Sequence, residues 1–160
     1  MSIRVATPGD LEGIMAIEHS SFPTDAWSAD TMRAEIASEH TVYLVDEVEG
    51  TIIGYGGVRA LQGGTDADIQ TIALNAEHRG SGRGRALLRA LLAEASARHA
   101  REMFLEVRAD NPAAEGLYLS EGFTEIGRRP HYYQPDDVDA IVMRLDLRAW
   151  AGASAREATA

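Results

Sequence analysis

The chain has 160 residues, of which 45% are hydrophobic and 25% charged, as in a soluble protein of one globular domain. It contains no cysteine and no lysine, which excludes a cysteine acyl-enzyme, a thiolate metal site, a Schiff-base lysine and a P-loop. The net charge of -10 argues against general nucleic-acid binding and favours a cationic substrate.

The N-terminal part of the chain is predicted to form one short strand and two helices. The strand covers residues 3–6, and the first helix begins at Thr7-Pro8 and ends near Ser20, because threonine caps helices and proline suits their first turn. An irregular loop at residues 22–27 separates it from a second helix over Ala29–Ala37. No long apolar run follows the first residues, so we expect neither a signal peptide nor a membrane span, and a cytoplasmic protein.

Three strand-like segments follow, at residues 41–47, 51–61 and 66–74. The turns between them are short and contain glycine, so we predict an antiparallel meander. The second segment contains Gly54, Gly56 and Gly57. Glycines inside a strand predict a bulge or a close approach of another group to the backbone.

The second half of the chain alternates between helices and strands. After a glycine-rich loop, a helix with leucines on one face runs to about residue 99, a strand covers residues 102–108, and another helix covers residues 111–120. Strands at residues 123–128 and 140–147 close the sheet. These elements predict an α/β (mixed α+β) domain over residues 1–147, in which helices cover both faces of a mixed sheet. Residues 148–160 lack periodicity and are predicted to form a flexible tail.

The glycine-rich loop has the sequence Arg79-Gly80-Ser81-Gly82-Arg83-Gly84. It precedes a helix, where unpaired backbone amides and the helix dipole favour an anion. Residues 79–101 contain six arginines against one acidic residue, Glu94, which suggests a local anion site. The glycine spacing differs from that of dinucleotide-binding loops. The loop is therefore predicted to bind a phosphate, and the alternative is a flexible turn without a ligand.

The spacing Arg79-x-x-Gly82-x-Gly84 resembles the signature of the GNAT family of N-acetyltransferases, and the resemblance extends over residues 2–147. It implies the GNAT fold, a central mixed, mostly antiparallel sheet of about seven strands with helices on both faces. It also implies that acetyl-CoA is the acetyl donor. The implied cofactor contacts are the pyrophosphate loop, with Arg79, Gly80, Ser81, Gly82, Arg83 and Gly84, and the strand residues Ile72, Ala73 and Leu74, which pair with the pantetheine arm.

A further segment is similar to the ribosomal-protein-alanine N-acetyltransferases (RimI type). The similar residues are Leu105-Glu106-Val107-Arg108-Ala109-Asp110-Asn111-Pro112-Ala113-Ala114, followed by Leu117-Tyr118 and Gly122-Phe123. The similarity implies that Glu106 is the general base, that Tyr118 is the general acid and a cofactor contact, and that Asn111 contacts the pantetheine.

Each of these assignments has a chemical reason. Acetylation needs a neutral amine, so a carboxylate must accept a proton, directly or through a water, and a tyrosine hydroxyl can donate one to the departing thiolate. The backbone N–H of Leu74 is a candidate donor to the oxyanion. The alternatives are that Glu106 forms a structural ion pair with an arginine, that Tyr118 is a core residue and that Asn111 caps a helix.

The acceptor is predicted to be an N-terminal α-amine. Its reference pKa is about 7.7–8.0 and that of lysine is about 10.4, so an α-amine loses its proton far more readily at neutral pH. The family resemblance implies a protein N-terminus, with the N-terminal alanine of a small-subunit ribosomal protein as the expected target. Candidate acceptor contacts are the side chains of Trp27, Glu35, Tyr132, Tyr133 and Asp136.

Two other functions are compatible with the sequence: acetylation of a small-molecule amine, and binding of acyl-CoA without catalysis. For the aromatic residues named as acceptor contacts, the alternative is packing at the edge of the sheet. The five histidines are scattered along the chain, so no metal site is expected. We also expect no nucleic-acid or membrane partner, and a monomer or weak dimer.

Overall fold

A mixed β-sheet of seven strands lies at the centre of the computed structural model, which describes residues 2–159 and the side chains of residues 2–156. The strands are β1 (Ser2–Val5), β2 (Thr41–Val48), β3 (Thr51–Ala60), β4 (Asp66–Leu74), β5 (Glu102–Arg108), β6 (Thr124–Tyr133) and β7 (Val138–Asp146). The helices are α1 (Leu11–Ser21), α2 (Ala29–Ala37), α3 (Arg83–Ala97), α4 (Pro112–Glu121) and α5 (Leu147–Thr159), with short 3-10 turns at Pro8–Asp10 and Ala76–His78.

Neighbouring strands follow the order β1-β2-β3-β4-β5-β7-β6, and every pair is antiparallel except β4 with β5. This confirms the predicted α/β class, the mixed sheet and the meander of β2, β3 and β4. The parallel pair is short, and its last registered partners are Asp68 and Phe104. Beyond that point the two strands diverge, because β4 continues to Leu74 beside β3 while β5 stays paired with β7 as far as Arg108.

Two hydrophobic clusters place helices on both faces of the sheet. The larger cluster joins α3, α4 and α5 to the sheet, and the smaller one joins α1 and α2. In β2, Leu44 belongs to the larger cluster, whereas Tyr43 and Val45 belong to the smaller one, as expected for side chains that alternate between faces. The predicted apolar face of α3 is confirmed by its fully buried leucines, Leu87, Leu88, Leu91 and Leu92.

The glycines of β3 let other groups approach this strand closely. The register between β3 and β4 shifts between Gly57 and Val58, which confirms the predicted bulge. A Cβ atom at Gly57 would lie 2.3 Å from Cζ of Tyr43, so only glycine leaves room for the ring. The buried Tyr43 hydroxyl donates a hydrogen bond to Oε1 of Gln70 on β4 at 3.1 Å. The ring therefore connects β2, β3 and β4 on the α1–α2 face.

The C-terminal segment differs from the sequence-based prediction. A flexible tail was expected from Arg148 onward, whereas the structure forms α5 over Leu147–Thr159. Leu147 is fully buried and Trp150 packs against the larger cluster, so burial of two side chains compensates for a pattern too sparse to predict a helix. Residue 160 of the predicted tail lies outside the described residues. The assignment of one domain over residues 1–147 stays a prediction.

The segment before β7 also differs from the prediction. A loop was expected after residue 128, but β6 continues to Tyr133, paired with β7 through Arg129↔Ala140 and Tyr133↔Val138. Pro130 falls between these pairs, where the register shifts, and this edge strand tolerates the missing N–H. No helix in the described part of the chain is long and apolar enough to span a membrane.

Candidate active site

A cleft opens where β4 and β5 diverge, and it contains two adjoining cavities. The larger one, of about 610 Å³, is bordered by the glycine-rich loop and the end of β4. The smaller one, of about 160 Å³, is bordered by β4, β5 and the loop between α1 and α2. The two cavities share five lining residues, namely Phe22, Ile72, Asn111, Ala114 and Tyr118. A molecule in the larger cavity can therefore reach a second molecule in the smaller one.

The larger cavity brings together most of the predicted cofactor residues. Those that line it are Ile72, Ala73, Leu74, Arg79, Gly80, Gly82, Gly84, Asn111 and Tyr118. Gly80 and Gly82 have φ values of +78° and +85°, and no atom lies within 4 Å of a Cβ built on either. Positive φ favours glycine at both positions. Because α3 begins at Arg83, the first amides of the helix lack an intrahelical acceptor and are available to an anion.

Two predicted loop contacts do not reach this cavity with their side chains. The Ser81 hydroxyl donates a hydrogen bond to the His78 carbonyl at 2.6 Å. Arg83 instead donates two hydrogen bonds of 2.8 Å to the fully buried carboxylate of Asp46 on β2. The loop was predicted to bind the pyrophosphate through its backbone amides, and with both side chains engaged elsewhere the backbone is the contribution that Ser81 and Arg83 can make.

The arginine-rich segment is also less available to an anion than its sequence suggests. Arg85 and Arg89 both pair with Glu121, and Arg98 donates to the carbonyls of Glu39 and Ala60. Most arginines of this segment are therefore engaged by acceptor groups on neighbouring elements that pack against α3. Arg79 lines the larger cavity, and its guanidinium donates a long hydrogen bond of 3.5 Å to the Ser21 hydroxyl. Arg79 is therefore the strongest side-chain candidate for a phosphate.

The backbone of β4 presents an open edge to the cleft. The N–H of Asn75 donates to the Ile53 carbonyl of β3 at 2.7 Å. Since successive N–H groups of a strand point to opposite sides, the N–H of Leu74 faces away from β3 and toward the cleft. This places a backbone donor at the border of the larger cavity, which Leu74 lines.

Glu106 and Tyr118 line the same small cavity. The side chain of Glu106 is 28% exposed, and its Oε1 lies 3.4 Å from Nε of Arg129 on β6. Tyr118 is buried and packs edge-on against Phe123 with a centroid distance of 5.8 Å. Burial, followed by the nearby Tyr133, raises the pKa of the Tyr118 hydroxyl far above its ordinary value. The ion pair and the core packing considered as alternatives both exist, yet both groups also border the cavity.

Asn111 combines the two interpretations given to it. Its side-chain oxygen accepts a hydrogen bond from the N–H of Ala114 at 3.2 Å, which caps the start of α4. Asn111 also borders both cavities. Capping therefore fixes the side chain at the junction without removing it from the cleft.

Glu18 is a site residue that sequence reasoning missed. It lies on the buried face of α1 and borders the small cavity. Its carboxylate accepts hydrogen bonds from the Tyr55 hydroxyl and from the N–H of Trp27, the latter at 2.8 Å. Glu18 thereby fixes the end of the α1–α2 loop, and Trp27 lines the cavity. The available signal was an acidic residue at helical spacing from the apolar Ile14, where a solvated side chain is not expected.

The predicted acceptor contacts divide into two groups. Trp27 and Tyr133 line the small cavity, and burial together with Glu106 raises the pKa of Tyr133 to about 12. Tyr132 lies beside it, half-exposed, with ring centroids 5.1 Å apart. Burial, followed by the charge of Glu106, raises the pKa of Tyr132. Tyr132 therefore lies near the proposed base but lines neither cavity.

Glu35 and Asp136 line neither cavity. Glu35 lies on α2, and its Oε2 is buried without a hydrogen bond to any described residue. Its carboxylate contributes to the raised pKa of Tyr43, after burial, which places it behind the site. The carboxylate of Asp136 accepts hydrogen bonds from Thr24 and Arg108. The structure thus does not bring Glu35 to the cleft, and it engages Asp136 internally.

Among the described residues, no group of three or more histidine, aspartate or glutamate side chains is arranged to hold a metal ion.

The sequence matches the acetyltransferase (GNAT) family over residues 11–123. It is 36% identical to the N-alpha-acetyltransferase RimI of Mycobacterium tuberculosis, over 91% of this chain and 92% of that protein. It is 37% identical to an uncharacterized Mycobacterium leprae protein, covering 91% of this chain but 41% of that longer protein.

Solved structures agree with these sequence matches. The fold is similar to the ribosomal-protein-alanine N-acetyltransferase of Escherichia coli, with a TM-score of 0.82 and 30% identity over 91% of this chain and 93% of that one. It is also similar to yncA of Salmonella typhimurium, solved with its cofactor acetyl-CoA, with a TM-score of 0.79 and 26% identity over 92% of this chain and 94% of that one.

Proposed function

Because the chain belongs to the acetyltransferase (GNAT) family and is an N-acetyltransferase, we propose that it transfers the acetyl group of acetyl-CoA directly to the N-terminal α-amine of a protein. The proposed target is the N-terminal alanine of a small-subunit ribosomal protein, as the names of relatives suggest. The observation that carries the proposal is the junction of the two cavities. Tyr118 borders both of them, and Glu106 borders the smaller one.

The residues around the larger cavity fit acetyl-CoA as the donor. The positive-φ glycines, the first amides of α3 and the side chain of Arg79 would hold the pyrophosphate. The open edge of β4 at Ile72–Leu74 would pair with the amide groups of the pantetheine arm. When bound, acetyl-CoA supplies a thioester carbonyl that an amine can attack. The complex of yncA with acetyl-CoA supports this assignment.

The residues of the smaller cavity supply the proton transfers. Glu106 accepts a proton from the acceptor ammonium, directly or through a water, so that the neutral amine forms the new C–N bond. The N–H of Leu74 donates a hydrogen bond to the developing oxyanion. Tyr118 would donate its proton to the sulfur as the C–S bond breaks, and the second proton of the attacking nitrogen would leave as the amide forms and restore the Tyr118 hydroxyl, directly or through a water. Both substrates are held in adjoining cavities, so proximity contributes much of the acceleration.

An α-amine suits this site better than a lysine side chain. At neutral pH roughly one α-amine in seven is already unprotonated, against about one lysine in 2,500. A single carboxylate is therefore a sufficient base for an α-amine. The smaller cavity also has an acidic border, with Glu18, Asp25 and Glu106, which favours a cationic acceptor.

The proposed acceptor is tested with a synthetic peptide that begins Ala-Arg, incubated with the protein and acetyl-CoA. We expect mass spectrometry with fragmentation to locate one acetyl group on the α-amine. The same peptide with a formylated N-terminus is the control, and it should gain no acetyl group. Turnover of free amino acids or polyamines, with the peptide inert, would replace the protein acceptor by a small amine.

A further inference from the structure

Arg108 is a charged residue of the small cavity to which the mechanism above gives no role. It is the last residue of β5, and its side chain is 20% exposed. The guanidinium donates hydrogen bonds of 3.0 and 3.1 Å to Asp110, lies over the Tyr133 ring at 5.2 Å and borders the cavity beside Glu106. These contacts give Arg108 one fixed position at the end of the strand that carries the proposed base.

The same guanidinium joins two loops that are distant in sequence. One is the α1–α2 loop, where Oδ2 of Asp25 lies 3.6 Å from Nη1. The other is the turn between β6 and β7, where Asp136 accepts a hydrogen bond of 3.0 Å from Nη2. Asp136 also accepts a hydrogen bond of 2.7 Å from the Thr24 hydroxyl, so the two loops contact each other directly. We name this set, Arg108 with Thr24, Asp25, Asp110 and Asp136, the Arg108 clasp.

The clasp lies on the acceptor side of the cleft. Asp25, Trp27 and Tyr133 border the small cavity but not the larger one, and each belongs to a segment that Arg108 contacts or adjoins. Near the C-terminal end of the α1–α2 loop, the N–H of Trp27 donates a hydrogen bond to the Glu18 carboxylate. The α1–α2 loop is therefore fixed at two points, by the clasp at Thr24 and Asp25 and by Glu18 at Trp27. Both points lie beside the small cavity of about 160 Å³.

We propose that Arg108 is a positioning residue which, by holding the α1–α2 loop against the β6–β7 turn, keeps the acceptor cavity narrow and makes the enzyme selective for a small first residue. The inference rests on the proposed function, in which the acceptor is a protein N-terminus. A narrow cavity admits the amine with a short side chain and excludes a long one. Loosening the clasp widens the cavity, so the acceptor is held less firmly and the selection is lost.

Arginine suits this role better than lysine. Its planar group presents donors in several directions at once, and it also stacks on aromatic rings, whereas an ammonium acts as a point charge. Arg108→Lys should therefore restore part of the clasp, and Arg108→Met, which keeps length but removes every donor, should abolish it. Arg101→Met is the matched control, because Arg101 is exposed just before the other end of β5.

The test compares two peptides that are identical except for a first residue of alanine or leucine. For Arg108→Met we expect KM for the alanine peptide to rise about tenfold and the preference in kcat/KM for alanine over leucine to fall about tenfold. KM for acetyl-CoA should change by less than about twofold, because the larger cavity is untouched. For Arg108→Lys, the KM for the alanine peptide and the preference for alanine should lie between those of the wild type and those of Arg108→Met. For Arg101→Met, both values should match those of the wild type.

Hydrogen exchange tests the clasp without any acceptor. Amide exchange at residues 22–28 and 134–137 should accelerate together in Arg108→Met and not in Arg101→Met. An unchanged alanine preference, or unchanged exchange in either loop, overturns the proposal. If the wild type acetylates neither peptide, the proposed acceptor fails while the exchange data still decide whether Arg108 holds the loops.

Discussion

The carboxylate of Glu106 faces both an arginine and a cavity. Its Oε1 lies 3.4 Å from Nε of Arg129, and the residue borders the cavity that Tyr118 also lines. An ion pair alone would make Glu106 a structural residue, whereas a role as base requires it to contact the acceptor. These two roles differ in how a neutral replacement affects turnover.

We predict that Glu106→Gln lowers kcat/KM for the peptide by about 10²–10³-fold, because an amide cannot accept the proton. The dissociation constant for acetyl-CoA, measured by calorimetry, should stay unchanged. Glu125→Gln is the control, since Glu125 is exposed and pairs with Arg128 on the same strand. Equal activity in the wild type and Glu106→Gln would remove Glu106 from the chemistry.

Tyr118 has a hydroxyl that stays protonated across the working pH range. Burial raises its pKa well above the ordinary value of about 10, so ionisation is disfavoured in the folded protein and the proton remains available below and near pH 10.

We predict that Tyr118→Phe lowers kcat by about 10²-fold with little change in KM for the peptide. The wild-type profile of kcat against pH should show no decrease from Tyr118 up to about pH 10. A decrease that appears near pH 8 and vanishes in Tyr118→Phe would contradict this assignment.

At the scale of single residues, the sequence supplied those site residues that lie in local motifs. Glu106, Asn111 and Tyr118 belong to one continuous segment, and the structure places all three around the cleft. Arg83 was assigned to the phosphates through the amides of the loop, and no partner for its side chain was predicted. Its partner, Asp46, lies 37 residues away, and pairing over that distance depends on how β2 packs against α3.

At the scale of elements, the glycine-rich loop and the first turn of α3 act together. Gly82 has a φ of +85° and caps α3, so a side chain there strains the backbone, and an acidic one also repels phosphate. We predict that Gly82→Asp weakens acetyl-CoA binding by about tenfold or more, measured by calorimetry.

Gly63→Asp tests whether the loss of affinity is specific to the glycine-rich loop. Gly63 has a φ of +78° with no atom near its Cβ position, and it lies in the turn between β3 and β4. Its replacement carries the same backbone strain away from the loop. Similar losses of affinity in both variants would mean that general destabilisation, rather than the loop, is responsible.

The C-terminal helix α5 is part of the folded core. Leu147 is fully buried at its start, and its N–H donates to the Arg101 carbonyl at 2.9 Å. We predict that Leu147→Ala lowers the free energy of unfolding by about 2–5 kcal/mol, measured by urea denaturation. Leu119→Ala is the matched control, because Leu119 is 51% exposed on α4, and it should cost less than about 0.5 kcal/mol. Equal stability of the two variants would mean that α5 does not pack as the structure describes.

The elements that could not be predicted are those that depend on distant partners. The helix α5 has only two large apolar residues, Leu147 and Trp150, and it forms where they meet the larger cluster. The extension of β6 depends on pairing with β7, which begins only at Val138. By contrast, α3 and β5 carry their periodicity in their own sequences, and both lie within a few residues of their predicted bounds.

At the scale of the whole molecule, the net charge favours a cationic acceptor. The net charge is -10, and several arginines around α3 are neutralised internally. A basic peptide is therefore attracted over a long range, and the attraction weakens as salt screens it. We predict that KM for an Ala-Arg peptide rises by about threefold or more between about 0.05 and 0.5 M salt.

A peptide in which the downstream arginine is replaced by glutamine provides the comparison. Its KM should change much less over the same range of salt. Equal responses of the two peptides would show that long-range attraction contributes nothing to acceptor binding. The fold class and the strand meander followed from sequence patterns alone, but this distribution of charge did not, because ion pairs form only once distant elements pack.

Gly57 of β3, beneath the Tyr43 ring, connects a position outside the cleft to the acceptor cavity. A methyl group at Gly57 would clash with the Tyr43 ring. The hydroxyl of Tyr43 donates a hydrogen bond to the side chain of Gln70, and Gln70 borders the small cavity. A substitution on β3, which lines neither cavity, is therefore expected to shift a residue that lines the smaller one. A side chain at position 57 would therefore disturb the acceptor cavity without contacting an acceptor.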